Sequence, residues 1–181
     1  MSNLRILNGH QPSAFSKGNL NHALVARSRD QLTQADATVR STTIADGYDI
    51  ETEIANHLWA YTVILQFPVN WMGLPWSFKK YMDEVYTAGM GDTLDLRYML
   101  SGTFNAPKYA FDDPAQAFFK GGSVDDVLRP IHLTMAFMNA TPLHTFAAFD
   151  VMKNPTITGD FTRFDAHIAH HLIQDQIHIA G

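Results

Sequence analysis

Strand-like and helix-like stretches alternate five times along this chain, and that rhythm constrains the fold more than any other feature. Leu4–Leu7 is a short apolar run that stops at Asn8-Gly9 and reads as a buried strand and turn. Leu20, Leu24 and Leu32 then share one helical face, with Ser16 offered as a cap. Ala37–Ile44 alternates and is rich in β-branched residues, which predicts a second strand. Ile50–Trp59 carries Ile50, Ile54 and Leu58 at spacing four and predicts a second helix. Thr62–Phe67 is a continuous apolar run, as a strand covered on both faces requires. Pro75–Thr87 predicts a third helix, Arg97–Phe104 a fourth strand and Val124–Asn139 a fourth helix, with Asp125 and Asp126 at its start. Leu143–Phe149 predicts a fifth strand and Phe161–Ile179 a last helix, with Asp150–Asp160 wrapping the surface between them.

Such alternation argues for an α/β fold: a five-stranded parallel sheet of order 2-1-3-4-5 with helices on both faces. The 181 residues suit one domain spanning 1–181, and no repeat or linker divides them. Charged residues are 17% and hydrophobic residues 46%, which fits a globular chain. A net charge of −5 offers no blanket attraction to nucleic acid or anionic lipid. With no cysteine, disulfides, thiolate metal sites and a cysteine nucleophile are excluded. The run Tyr61–Phe67 is too short to span a bilayer, and Met1–Leu7 has no signal-peptide anatomy, so a cytoplasmic protein is expected.

In this architecture ligands bind beyond the carboxyl ends of the strands. The first loop brings Ser13, Ser16, Lys17, Gly18 and Asn19 to a helix start, which makes a phosphate seat or an ordinary polar cap. Neither a Walker sequence nor G-x-G-x-x-G is present. The second loop, "FPVNWMGLPW", places Trp71, Met72 and Trp76 where they can flank a flat aromatic ligand, or anchor the loop to the core or to a second subunit. The third, Thr103-Phe-Asn-Ala-Pro107, can present groups to a ring carbonyl or form a simple turn. An anionic tail in loop one and a planar ring between loops two and three together describe a flavin nucleotide.

The segments "LNG…FSKGNLN" (7–21), "FPVNWMGLPWSFKKYMDEVYTAGMG" (67–91), "RYMLSGTFNAP" (97–107) and "VDDVLRPIHLTMAFMNATPLHTFAAFDVMK" (124–153) resemble NADPH:quinone oxidoreductases of the modulator of drug activity B type. The resemblance covers most of the chain. It implies a flavodoxin-like fold, a homodimer, bound FAD, and two-electron ping-pong hydride transfer from NADPH to quinones or similar flat acceptors. Carried over, Ser16, Gly18, Leu20 and Asn21 line the phosphate and ribityl side. Pro68, Val69, Asn70, Trp71 and Met72 contact the isoalloxazine, and Thr103, Phe104, Asn105 and Ala106 hold its other edge. Thr103 and Asn105 are the expected stabilisers of the flavin edge, and no residue is assigned a direct chemical step.

Two departures qualify that inheritance. Relatives carry a long Gly/Lys/Ser-rich insertion where this chain passes from Gly91 to Arg97 through "DTLDL", which leaves FMN as an alternative cofactor and altered activity as an alternative fate. The first loop reads "GHQP", with less lysine than relatives carry. A one-electron carrier of the same fold is the rival reading, though the mild net charge supplies no strong acidic docking patch. A receiver module needs an acidic cluster at the end of strand one and an aspartate after strand three, where this chain has Asn8-Gly9 and Phe67-Pro68. No metal is expected: His167, His170, His171 and His178 read as a solvated helix face, His132 and His144 as structural, and Lys79-Lys80 as the wet side of a helix. His10 lies at the cofactor end, within reach of a phosphate.

Overall fold

The computed structural model describes residues 2–89 and 94–174. Its sheet is parallel throughout and runs β2-β1-β3-β4-β5, the expected order. The strands are β1 (Asn3–Asn8), β2 (Thr38–Thr43), β3 (Thr62–Pro68) and β4 (Arg97–Thr103). Of the fifth strand expected over Leu143–Phe149 only β6 (Phe146–Ala148) forms, and a short β5 (Thr141–Pro142) precedes it; both pair with β4. Leu143 still donates to the Tyr98 carbonyl at 2.7 Å, but the next carbonyl, that of His144, turns to His167 Nε2 at 2.9 Å, so the ladder lapses until Phe146.

The helices are α1 (Asn19–Gln34), α2 (Ile50–Trp59), α3 (Trp76–Tyr81), α4 (Val124–Val127), α5 (Arg129–Phe137) and α6 (Ile157–Ile168). A π-helical turn, Met82–Tyr86, and a last α turn, Thr87–Gly89, prolong α3, and Ala169–Gln174 prolongs α6 in the same π form. The single helix expected over 124–139 is interrupted at Leu128, two residues before Pro130, whose ring excludes the carbonyl pairing of a continuous helix. Ser123 and Asp126 close a reciprocal capping box at its start, as the acidic pair suggested. The last helix begins four residues before Phe161, and its expected end at Ile179 lies outside the described residues.

Two apolar layers sandwich the sheet. Val63, Leu65, Phe67, Phe78, Leu100 and Met135 belong to one, under α2, α3 and α5. Leu4, Ile6, Leu24, Ile64, Met99, Phe164 and Ile168 belong to the other, under α1 and α6. Successive β3 residues enter opposite layers, which is why that strand is apolar without alternation. Tyr98 and Met99 are likewise both core.

One face of α2 differs from expectation. Leu58 is 59% exposed, whereas Glu53 and His57 are buried. The cause is Arg5, fully buried in β1. Its guanidinium pairs with Glu53, whose other oxygen accepts from Thr42 at 2.9 Å. Tyr81 of α3 donates to Glu53 at 2.6 Å, and its oxygen lies 3.0 Å from His57 Nε2. A buried cation must be paired, and that requirement outweighs the apolar stripe in rotating the helix. At the far sheet edge, Arg163 donates to the β6 carbonyl of Ala147 through both Nη1 and Nη2, at 3.2 Å each. Among the described residues no helix is long and apolar enough to cross a membrane.

Candidate functional site

Because β1, β3 and β4 are parallel and in register, the loops that follow them emerge together. Asn8 lies level with Gln66, and Pro68 with Thr103. Side chains lock the three ends to one another. Gln66 Nε2 donates to Asn21 Oδ1 at 2.8 Å, and Asn21 Nδ2 donates to Thr103 Oγ1 at 3.3 Å. The Val69 amide donates to the Thr103 carbonyl at 2.9 Å. The first turn of α1, the loop after β3 and the end of β4 are thus one rigid rim.

In the first loop Ser16 does not cap α1. Gly18 holds the N-cap position at φ +75°, a conformation that favours glycine, and no side chain caps the helix. No acidic residue occupies the first turn. His10 is buried beside this helix start, its Nε2 3.2 Å from Ser16 Oγ. Its Nδ1 has no partner, and a Cβ on Gly18 would come within 2.3 Å of that atom. Burial, and then the neighbouring His22, hold the His10 imidazole below its ordinary pKa, so it is neutral at pH 7. An uncapped N-terminus of a 16-residue helix, flanked by two serine hydroxyls and Lys17 and backed by an imidazole with a free nitrogen, fits an anion such as a phosphate ester.

The second loop is a tight hairpin. Asn70 and Gly73 exchange both backbone hydrogen bonds, at 2.9 and 3.0 Å, around a two-residue tip. Trp71 and Met72 form that tip with φ of +50° and +65°, as a type I′ turn demands. The Gly73 amide is therefore engaged, and the Trp71 and Met72 amides are the ones at the tip. Trp71 is 96% exposed and Trp76 67%. Neither tryptophan is a core anchor: these indoles face outward. A cavity of about 590 Å³ lies beside the hairpin between α3 and α5, lined among others by Met72, Leu74, Met82, Tyr86, Ile131 and Phe137.

In the third loop Thr103 and Phe104 are buried, and the Phe104 ring packs against Phe111 and Phe149. The Phe104 amide donates to Ala148 at 2.8 Å. Asn105 is exposed and Ala106 half-buried. The expected set thus divides. Ser16, Asn70, Trp71, Met72 and Asn105 are exposed at the rim; Leu20, Pro68, Val69 and Ala106 are half-buried; Gly18, Asn21, Thr103 and Phe104 support it from within. Sequence reasoning missed Gln66 and Asn8, whose Nδ2 donates to His22 at 3.0 Å. The signal for Gln66 was its place as the one amide side chain in an otherwise apolar strand.

The remaining polar groups behave structurally. Lys79 and Lys80 form exposed ion pairs with Asp83 and Glu84. His132 accepts from Tyr98 at 2.7 Å and faces Asp125. His167 is not on a solvated face as expected: it lies half-buried against Phe146 and His171, and burial lowers its pKa to about 4. His178 lies outside the described residues. Among the described residues no group of three acidic or imidazole side chains is arranged to hold a metal ion. The shortened segment starting at Gly91 is described only from Leu94, where Leu94 and Leu96 are buried in the core.

Comparison with known proteins agrees with this architecture. The family described as flavodoxin-like fold matches residues 2–172. NADPH:quinone oxidoreductase MdaB of Haemophilus influenzae is 35% identical over 187 residues, covering 92% of this chain and 97% of the relative. Among solved structures, an NAD(P)H:quinone oxidoreductase from Methanothermobacter marburgensis superposes with a TM-score of 0.74 at 13% identity, over 94% of this chain and 97% of that one. General stress protein 14 of Treponema denticola, solved in complex with FMN, gives a TM-score of 0.63 at 21% identity, over 92% and 99%. The order of its strands, its family match and its near-full-length identity to MdaB make this chain a member of the flavodoxin-like fold family, of the MdaB type.

Proposed function

We propose that this chain is a flavin-dependent NAD(P)H:quinone oxidoreductase that works as a homodimer. One observation carries the reading: an uncapped helix start, an outward aromatic hairpin and the Asn105-Ala106 step are bonded into one rim through Asn21, Thr103 and Val69. That rim offers a seat for phosphate, a face for a flat ring and amides for the ring's polar edge. When bound, the flavin supplies hydride exchange between a reduced nicotinamide and a quinone-type acceptor.

The chain's own residues position that chemistry. Ser13, Ser16 and the α1 amides hold the phosphate, with His10 behind them. The Asn105 and Ala106 amides face the pyrimidine edge of the ring system, where negative charge accumulates on reduction, and donors fixed in advance stabilise it. Asn21 does not touch the ring; it fixes Thr103 and so sets the height of that edge. Trp71 and Met72 cover the ring and exclude water.

The cavity beside the hairpin, with exposed Trp71, Trp76, Leu133 and Phe137 nearby in sequence or lining, is the surface we assign to the second copy of the chain. The test is direct. Purified protein incubated with FAD or FMN and freed of excess should be yellow, oxidise NADPH only when menadione is added, and sediment as a dimer. Colourless protein with no turnover at saturating flavin overturns the reading.

A further inference from the structure

We infer that Gln66 is a positioning residue for flavin reduction: it sets the direction of a buried hydrogen-bond chain, so that the Thr103 hydroxyl becomes a donor for the flavin. The inference rests on the flavin reading above and deepens it by naming what tunes the bound ring.

Gln66 is 1% exposed and lies in β3, between the strands that end in the first and third loops. It is tied to each side of the rim. Its carbonyl accepts from the Gly9 amide at 2.8 Å, which fixes the start of the first loop. Its Nε2 donates to Asn21 Oδ1 at 2.8 Å, in the first turn of α1. Asn21 Nδ2 then donates to Thr103 Oγ1 at 3.3 Å, at the end of β4. All three side chains are buried. Packing alone does not account for an amide here. Val63, Ile64, Leu65 and Phe67 fill the rest of the strand, and Gln66 Oε1 has no partner, which costs the fold stability.

The chain has a polarity, because an amide side chain donates at one end and accepts at the other. With its oxygen taken by Gln66, Asn21 can offer Thr103 only an N–H. The Thr103 oxygen is therefore an acceptor toward Asn21, and its own proton must go elsewhere. Among the described residues that proton meets no acceptor. Thr103 stands two residues before Asn105, so its hydroxyl is left to the ring held at that loop. In the opposite polarity Gln66 would accept from Asn21, Asn21 would accept the Thr103 proton, and the hydroxyl would be used up inside the protein. The side chain at position 66 thus decides whether the rim has a third donor beside the Asn105 and Ala106 amides. Such a donor is worth more to the reduced ring, which carries the added negative charge, than to the oxidised one.

Reductive titration against a reference dye tests this, on protein reconstituted with FAD and, in parallel, with FMN. Gln66→Met keeps the length and apolar body of the side chain but offers Asn21 no donor, so Asn21 Oδ1 turns to the Thr103 proton. The ratio of affinities for reduced over oxidised flavin should fall about tenfold, which for a two-electron couple is a potential about 30 mV lower. Thr103→Val should give the same fall, and Thr103→Ser, which keeps the donor, should stay within about twofold of wild type. Gln66→Met combined with Thr103→Val should fall no further than either alone, since both remove one donor. Urea melts of the flavin-free variants show that they are folded. Weaker binding of both redox states with an unmoved potential reduces Gln66 to a structural role and overturns the inference, as do falls that simply add in the double variant. Should Gln66→Met fail to fold, Thr103→Val decides: an unmoved potential there also overturns it. Flavin is bound in each of these outcomes, so the flavin reading stands. A wild type that takes up neither flavin overturns both.

Discussion

Trp71 and Met72 hold φ of +50° and +65°, a region that costs a residue with a Cβ about 1–2 kcal/mol. The usual solution at such a tip is Asn-Gly, and the chain instead keeps a side chain that is 96% exposed. Nothing in the fold recovers that cost, because an exposed indole buries no area. Strain retained without a packing benefit inside the chain fits a contact outside it, with the flavin or the second copy proposed above. Trp71→Gly should therefore stabilise the flavin-free protein by about 0.5–1 kcal/mol, the strain relief less the entropy that glycine gains on unfolding. The same variant should bind flavin more weakly. Urea melts of the apo protein and flavin titrations check the two halves. A variant less stable than wild type would mean that the indole supports the fold.

At the scale of elements, α2, β1 and α3 are joined through one buried polar knot. Arg5 on β1, Glu53 and His57 on α2, and Tyr81 on α3 all meet there. Burial, reinforced by Tyr86 and Glu53, pushes the Tyr81 hydroxyl far above its usual range, so it remains a donor. Because α3 follows directly from the Trp71 hairpin, the knot also anchors the site. Glu53→Leu should cost about 3–5 kcal/mol by stranding the guanidinium, whereas Arg5→Met with Glu53→Leu should recover most of that loss. A double-mutant cycle in urea measures it; a double variant no better than Glu53→Leu would contradict the pairing argument. These residues also mark how far the sequence could be read. Strand order and helix existence followed from the alternation of apolar periods, and the three loops of the rim from their place after β1, β3 and β4. The buried face of α2 did not follow, because Ile50, Ile54 and Leu58 form the better stripe on paper. Only the tertiary position of Arg5 decides against it. Ser16 was misread as a cap for a related reason: a left-handed glycine at Gly18 can start a helix without any side-chain acceptor. The break of the fifth strand depended on where one carbonyl, that of His144, turns.

For the whole molecule, the buried imidazoles set an acid limit. Burial lowers His57 to about 3 and His167 to about 4. As pH falls below about 6.5 the unfolded chain takes up these protons while the folded chain does not, so folding stability declines until the folded values are reached. His57, fully enclosed, contributes a slope of up to about 1.4 kcal/mol per pH unit across that window. Urea midpoints between pH 7 and 4 should fall accordingly, and His57→Phe should flatten the curve by roughly one proton's worth. An unchanged slope in that variant would remove His57 from the account. A different threat, self-association, is met at the opposite side of the sheet. The outer strand ends in three residues whose free carbonyl at Ala147 is already occupied by the Arg163 guanidinium. An incoming strand from another chain would have to displace a cation before it could zip on, so this border repels fibrillar growth instead of templating it.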